Sequence, residues 1–227
     1  MLYRTHLSST LWGLIQQATP ETLQSADPAL AAGHQMLCDG SPEAALAAAA
    51  TGLRQNAQDP AALLLSADAF TAYGRRIEAL DLLERAVAAQ PQSPGFQLAL
   101  AQQLLTLGRA EEAQLWLQRA LALVAEGDVP SAARLKPVLL ERLAQALLAS
   151  NQLEEAWSQL QSEVSEYPEL DELGADLLLK LNRPLEALPL AQAHAQRAPS
   201  AKADELLSLC HFRAGDQTSY AEMLRQA

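Results

Sequence analysis

The sequence predicts an all-α protein, a right-handed superhelical solenoid of about six antiparallel helix hairpins with an N-terminal capping helix. Three observations predict this fold. Gly40, Gly74 and Gly108 stand at intervals of 34 residues, each just ahead of an Ala-rich apolar run, which is typical of a helical repeat. Ala and Leu supply most of the apolar residues, with only 4% aromatic residues, and this favours closely packed helices over strands. Small side chains also recur at fixed distances from each turn.

These columns of residues can be followed along the chain. The turn residues are of types that tolerate the left-handed backbone that ends a helix: Gly40, Gly74, Gly108, Asn151, Asn182 and Gly215. Seven residues earlier stand Gly33, Ala67, Ala101, Ala144, Ala175 and Ser208. Five residues after the turns stand Ala45, Ala79, Ala113, Ala156 and Ala187, and then Tyr220 breaks the column. Two antiparallel helices approach closely only where both present small residues, so these columns predict the contact line within each hairpin.

The sequence divides into residues 1–25, a capping helix region, and residues 26–227, the repeat array. Leu7, Leu11 and Ile15 recur at helical spacing, so an amphipathic first helix is expected. Thr19 before Pro20 is typical of a further helix start. The first interpretation is that 1–25 covers the open end of the array, because solenoid ends need covering. The alternative is that this segment folds into its own groove or into a neighbour's.

The expected repeat units have irregular lengths. They lie near 26–59, 60–93, 94–127, 137–170, 168–200 and 201–227, with an irregular insertion at 128–136. From Gly108 to Asn151 the interval grows to 43 residues, so one or both flanking helices are expected to run an extra turn or two, and Ser131 can cap the new helix. From Asn151 to Asn182 it shrinks to 31 residues. Asp59–Pro60 and Ser93–Pro94 each predict a helix start with a cap and a first-turn proline.

Residues 61–92 and 95–123 resemble the tetratricopeptide repeat family. They carry its small residue, its turn glycine, and the Glu-Ala pairs Glu78–Ala79 and Glu112–Ala113. The resemblance extends over about 26–227 and is weaker at both ends. The Trp expected early in the first helix is replaced by Leu63 and Gln97.

The resemblance implies a groove lined by the first helix of each hairpin, in which a partner peptide lies. Carried over by register, the groove residues are Leu64, Asp68, Thr71, Ala72, Leu98, Gln102, Leu105, Thr106, Glu141, Gln145, Leu148, Glu172, Asp176, Leu179 and Lys180. This lining is apolar in the first half and acidic in the second, so a protein or peptide of apolar or basic character is the expected partner. The Lys and Asn clamp with which some members bind chaperone C-termini is missing. An inner face without a ligand is the remaining alternative.

The composition excludes several other classes of partner. The net charge of −11 disfavours nucleic acid and anionic membranes. No stretch is apolar for long enough to insert into a membrane, and the first residues do not read as a signal peptide. Cys38 and Cys210 stand far apart, which indicates a reducing compartment, so a cytoplasmic protein is expected. A bacterial protein is what the resemblance to the repeat family implies. A homodimer through either end of the array is compatible with the sequence.

No catalytic, metal or cofactor site is predicted. His34 and Cys38 are four residues apart and would share a helix face, but a zinc site needs more ligands, so ordinary packing is the preferred interpretation. Trp116 is either an exposed anchor for a partner or a half-covered surface residue. The predicted function is a non-enzymatic interaction scaffold or adaptor. The alternatives are a dedicated assembly or secretion chaperone, and the interaction arm of an enzyme such as a glycosyltransferase.

Overall fold

The computed structural model describes residues 11–24, 26–127 and 131–215. Twelve α-helices are found in these ranges: α1 Leu11–Ala18, α2 Pro28–Cys38, α3 Pro42–Gln55, α4 Pro60–Ala72, α5 Arg76–Ala89, α6 Pro94–Thr106, α7 Ala110–Glu126, α8 Ala132–Ala149, α9 Leu153–Leu160, α10 Asp171–Lys180, α11 Pro184–Arg197 and α12 Ala201–Ala214. Two 3₁₀ turns, Pro20–Leu23 and Pro168–Leu170, complete the described elements. The all-α fold of consecutive helix hairpins is therefore confirmed.

The chain forms two compact units, Met1–Arg142 and Leu143–Ala227, called unit 1 and unit 2 below. In unit 1, α2 packs on α3, α4 on α5, and α6 on α7. In unit 2, α10 packs on α11 and α11 on α12. The repeat predicts one more helix, which contains Tyr220 and pairs with α12. That helix lies outside the described residues.

All six predicted turn residues have a left-handed backbone, with φ between 58° at Asn151 and 83° at Gly40. The hydrogen bonds around Gly74 show how this conformation ends a helix. Arg75 N–H donates to Phe70 O at 2.9 Å and Gly74 N–H to Thr71 O at 2.9 Å, so two carbonyls that the helix leaves unpaired are satisfied. The same pair of bonds recurs at the turns of Gly40, Gly108, Asn151 and Asn182.

The predicted contact line within the hairpins is confirmed. The small residues that follow the turns are fully buried, from Ala45 to Ala187. On the other side of the contact, a Cβ built on Gly33 would lie 2.7 Å from a methyl of Leu65 and 2.9 Å from the Cβ of Ala48. Even alanine is therefore too large at residue 33, because the neighbouring helices approach so closely there.

Helices of extra length take up the long interval between Gly108 and Asn151. Helix α7 has 17 residues and α8 has 18, against 13 and 14 in the preceding hairpin. Part of the expected insertion is therefore helical, because α8 begins at Ala132 and contains Pro137 within it. Residues 128–130, the first part of the expected insertion, lie outside the described residues.

Two of the predicted helix starts differ from the expectation. Asp59 caps α4 through Ala61 N–H, at 3.0 Å. Thr19–Pro20, in contrast, begins only a 3₁₀ turn, and Thr19 Oγ1 donates back to Ile15 O. The hydroxyl of Ser93 makes no cap and lies 3.4 Å from Thr22 Oγ1. The side chain of Ser93 is thus used for a contact with the N-terminal segment.

The face formed by the first helices

The first-helix face is the surface on which the predicted groove residues lie. It is made by α2, α4 and α6 in unit 1 and by α10 in unit 2. In unit 1 this face is not open, because α1 packs on both α4 and α6. The position of α1 corresponds to the alternative in which the N-terminal segment folds into its own groove.

Three apolar side chains of α1 are directed into unit 1. Leu11 is 4% exposed, Trp12 is 2% exposed and Ile15 is fully buried. The indole ring of Trp12 stacks on the imidazole of His34 in α2, with 5.6 Å between the ring centroids. Gln16 and Gln17, on the other side of α1, are exposed. The helix is therefore amphipathic, and its apolar side meets three helices of unit 1.

Asp68 holds the start of α1. Its two carboxylate oxygens accept the backbone N–H groups of Leu11 and Trp12, each at 2.7 Å. The first N–H groups of any helix have no partner within the helix, and the positive end of the helix dipole favours a carboxylate there. Burial raises the pKa of Asp68 to about 7, and the two N–H donors act in the opposite direction. Asp68 is thus a capping residue supplied by another helix.

Gly95 leaves room for the chain that follows α1. A Cβ built on Gly95 would collide with Thr19 Oγ1 and would lie 3.1 Å from Thr22 Oγ1 and 3.3 Å from Ile15 Cγ2. The 3₁₀ turn Pro20–Leu23 is fixed further by Glu21, whose carboxylate accepts a hydrogen bond from Ser131 Oγ. The hydroxyl of Ser131, expected as a helix cap, is used for this contact.

The predicted groove residues of unit 1 divide into covered and accessible ones. Leu64 and Leu98 are fully buried and Asp68 is 4% exposed, so these three are not accessible to a partner while α1 is in place. For Asp68 the physical reason is α1, whose first N–H groups it accepts. Accessible positions cluster toward the ends of α4 and α6, and their exposure is partial or full: Thr71, Ala72, Gln102, Leu105 and Thr106.

The apolar sequences of α4 and α6 are the signal, not used in the prediction, that this face of unit 1 is covered. Every residue of α4 from Ala61 to Ala69 is buried, and so is every residue of α6 from Pro94 to Ala101. Apart from Ser66, Asp68 and Gln97, both stretches consist of apolar or small residues on every side rather than along one stripe, and such a helix is buried on all sides. A groove that is open to a partner would need polar or charged residues on the accessible side of these helices.

The first-helix face of unit 2 differs in both exposure and charge. The side chain of Glu172 is 36% exposed and that of Asp176 is 45% exposed. Lys202 pairs with Glu172, and His194 Nε2 lies 3.5 Å from it. Lys180 pairs with Asp176 on the same helix. These neighbours offset the acidic character expected of this face.

The remaining predicted residues lie in different surroundings. Leu179 is 4% exposed, because its side chain belongs to the core of unit 2. Glu141, Gln145 and Leu148, along α8, are partly exposed. The partner-binding role of the whole set of fifteen residues stays a prediction.

The other candidate sites show packing or surface contacts. Cys38 Sγ lies 3.6 Å from His34 Nε2, and burial lowers the pKa of His34. Within the described ranges, no group of three or more His, Cys, Asp or Glu side chains is arranged to hold a metal ion. Trp116 is half-buried, with the Arg119 guanidinium 5.6 Å from the centre of its ring. Among the helices of the described residues, none is both long and apolar enough to cross a membrane.

Comparison with known proteins supports the assignment of the fold. The tetratricopeptide repeat family model matches residues 70–137. A search of curated proteins found no match. Several solved structures have the same fold, as the following three show.

The structure of pilF from Pseudomonas aeruginosa is similar with a TM-score of 0.70 and 20% identity, over 87% of this chain and 88% of that one. PilW, described as a widely conserved type IV pilus biogenesis factor, is similar with a TM-score of 0.73 and 15% identity. The match covers 89% of this chain and 92% of that one. YrrB, described as a tetratricopeptide repeat protein with an unusual peptide-binding site, is similar with a TM-score of 0.53 and 19% identity. The match covers 96% of this chain and 99% of that one. The left-handed turns, the small-residue contact line and these matches together confirm the predicted resemblance to the tetratricopeptide repeat family, whose model matches residues 70–137.

Proposed function

We propose that this protein is a non-enzymatic scaffold that binds a segment of another protein on its first-helix face. Tetratricopeptide repeats are protein-interaction modules, so the general class follows from the family. The position of α1 carries the finer proposal. In unit 1 the first-helix face already binds a peptide segment, the chain's own, through apolar contacts and two hydrogen bonds to Asp68.

The first-helix face of unit 2 is the accessible counterpart. Glu172 and Asp176 keep about a third to a half of their side-chain surface exposed. Their pairs with Lys202 and Lys180 are surface ion pairs, which contribute about 0–1 kcal/mol each, and a basic partner segment can therefore replace them. The proposed ligand for this face is an extended or helical segment with basic residues.

A capture experiment with matched variants tests the proposal. The full chain is immobilised, and the bound proteins are identified by mass spectrometry. In one variant Glu172 and Asp176 are both changed to Lys. The control changes Glu154 and Glu155 to Lys, which alters the charge equally on exposed positions of α9.

The proposal expects a partner that the wild-type and control chains capture and the Glu172→Lys, Asp176→Lys chain loses. Equal capture by all three chains would place binding elsewhere on the protein. A single client captured in stoichiometric amount, whose solubility in the cell depends on this protein, would indicate the chaperone alternative.

A further inference from the structure

The contact between α1 and unit 1 has the features of a binding site for an amphipathic helix. The buried side of α1 is formed by Leu11, Trp12 and Ile15, three large apolar residues at helical spacing. The surface that receives them is supplied by α4, α6 and the imidazole of His34. Burial of apolar side chains supplies the main favourable free energy of such a contact.

The polar part of this site recognises a helix start and not a particular side chain. Asp68 accepts the backbone N–H groups of Leu11 and Trp12. Those groups are unpaired at the start of every helix. Any helix that begins at this point therefore offers the same two donors to Asp68, whatever its sequence.

The site is also shaped for a chain that passes over α6. Gly95 has no side chain where Thr19 and Ile15 approach, and a Cβ there would collide with Thr19. Ser93 adds a hydroxyl 3.4 Å from that of Thr22. Ser93, just before α6, and Gly95, within it, thus accommodate the segment that follows the bound helix.

Helix α1 depends on this contact for its own structure. Its described part has eight residues, with Gly13 inside it. Helices shorter than about 12 residues are marginal in water, and glycine lowers helix stability further. Once released from unit 1, α1 is therefore expected to unfold, and release leaves the apolar site open.

We propose that α1 is the resident occupant of a helix-binding site and is displaced by an amphipathic helix of a partner protein. This inference deepens the proposed function and rests on it. The displacing helix carries two adjacent large apolar residues and a third one turn later, as at positions 11, 12 and 15. A partner is favoured over a second copy of this chain, because an identical helix makes identical contacts and lacks the effective concentration of the tethered one. Only a helix with better contacts or higher helix propensity displaces α1.

The experiment measures binding of a labelled peptide to the full chain. The probe is a synthetic peptide of residues 8–24 with fluorescein at its C-terminus, followed by fluorescence anisotropy. The loosened chain carries Trp12→Ala and Ile15→Ala, which weaken the resident helix and leave the site intact. The matched control carries Gln16→Ala and Gln17→Ala, two changes on the exposed side of α1.

The loosened chain is expected to bind the peptide at least tenfold more tightly than the wild-type and control chains. Adding Asp68→Ala to the loosened chain is expected to reverse that gain, because the bound helix loses its cap. Equal affinity for the wild-type and loosened chains would overturn the displacement proposal while leaving the face a binding site. No binding by a loosened chain with a wild-type circular dichroism spectrum would also overturn the displacement proposal, whereas the proposed function is tested separately by the capture experiment on the accessible face of unit 2.

Hydrogen exchange of the wild-type chain gives a result even if the loosened chain fails to fold. We expect the amides of α1 to exchange at least a hundredfold faster than those of α4 and α6, through a local opening that low urea concentrations do not accelerate. Equal protection of α1, α4 and α6 would contradict the proposal, because α1 would then leave only when unit 1 unfolds. A concentration-dependent dimer that the loosened chain no longer forms would show that a second copy, and not a partner, is the exchanging species.

Discussion

The first-helix faces of the two units occupy the same place in the repeat and have different roles in the structure. Leu98 in unit 1 and Glu172 in unit 2 each lie ten residues before their turn residue. Leu98 is fully buried, whereas the side chain of Glu172 is 36% exposed. Asp68 and Asp176 form a second equivalent pair, in which Asp68 caps α1 and Asp176 pairs with Lys180 on the surface. The same register thus produces a covered face in one unit and an accessible face in the other.

The sequence of each first helix explains this difference. Around Leu64 and Leu98, most residues on every side of the helix are apolar, so a second layer of protein is needed to cover them. Around Glu172 and Asp176, charged residues keep one side in water. In this chain the polarity of the first helix therefore distinguishes the covered face from the accessible one.

The largest expected effect comes from changing Leu98 and Glu172 separately to Ala. Leu98→Ala is expected to lower the free energy of unfolding by about 2–5 kcal/mol, because it leaves a cavity between α6 and its neighbours. Glu172→Ala is expected to change it by less than about 0.5 kcal/mol. Urea unfolding followed by circular dichroism checks both values. Similar losses for the two variants would remove the distinction between covered and accessible faces.

A pH-dependent difference is expected for Asp68. Its pKa is about 7 in the folded chain and near 3.9 in an unfolded chain. Between these values the folded chain binds more protons than the unfolded chain, so the Asp68 contribution to stability falls as the pH rises. We therefore compare the free energy of unfolding of wild type with that of Asp68→Asn. The difference between them, wild type minus variant, is expected to fall by roughly 2 kcal/mol from pH 5 to pH 7.5.

The control for this measurement is Asp176→Asn, at the equivalent position of unit 2. Asp176 is partly exposed and pairs with Lys180 on the surface, so this variant removes a carboxylate at the same register from a position that is not buried. If the difference in free energy of unfolding between wild type and Asp68→Asn instead rose with pH, the ionised form of Asp68 would be the one preferred in the folded chain. The two N–H donors would then outweigh the effect of burial.

A smaller effect is expected for Gly95→Val. The new side chain collides with Thr19 and Ile15, and overpacking of this kind costs about 1–3 kcal/mol. The loss should be accompanied by faster hydrogen exchange in α1. Glu169→Val, at the equivalent and exposed position of unit 2, is the control and should leave exchange in α1 unchanged. Unchanged protection of α1 in Gly95→Val would contradict the close approach of α1 to α6.

The smallest expected effect is that of Lys180→Gln. It removes an exposed ion pair between residues four apart on α10, and such pairs contribute about 0.3–0.5 kcal/mol. The difference from wild type should shrink further at 0.5 M salt. A loss above about 1 kcal/mol would show that the face of unit 2 is more tightly organised than its exposure indicates.

The repeat and its turns could be predicted from the sequence because local chemistry determines them. Glycine or asparagine is needed where the backbone is left-handed, and the six predicted positions all have this conformation. Small residues are needed where helices touch, and Ala79 and Ala113 are fully buried as expected. Both requirements act within a few residues of the turn, so they leave a pattern in the sequence.

The location of α1 could not be predicted in the same way. The spacing of Leu11 and Ile15 predicts an amphipathic helix, but it does not say which surface the apolar side covers. That choice depends on contacts with residues about 57 positions away, such as Asp68. Thr19, Ser93 and Ser131 likewise resemble caps by local sequence, and their hydroxyls instead serve contacts within or around the N-terminal segment. Contacts between distant residues override local preferences at these positions.

Helix α1 lies in the first-helix groove of unit 1. Nuclear Overhauser measurements on the wild-type protein test this position most directly. We expect cross-peaks between the Trp12 indole and the His34 imidazole, whose centroids lie 5.6 Å apart. We also expect them between the Ile15 γ-methyl and the α-protons of Gly95. Both sets should weaken in Asp68→Ala. Absence of both sets from the wild-type spectrum, with the cross-peaks between α4 and α5 intact, would contradict the account.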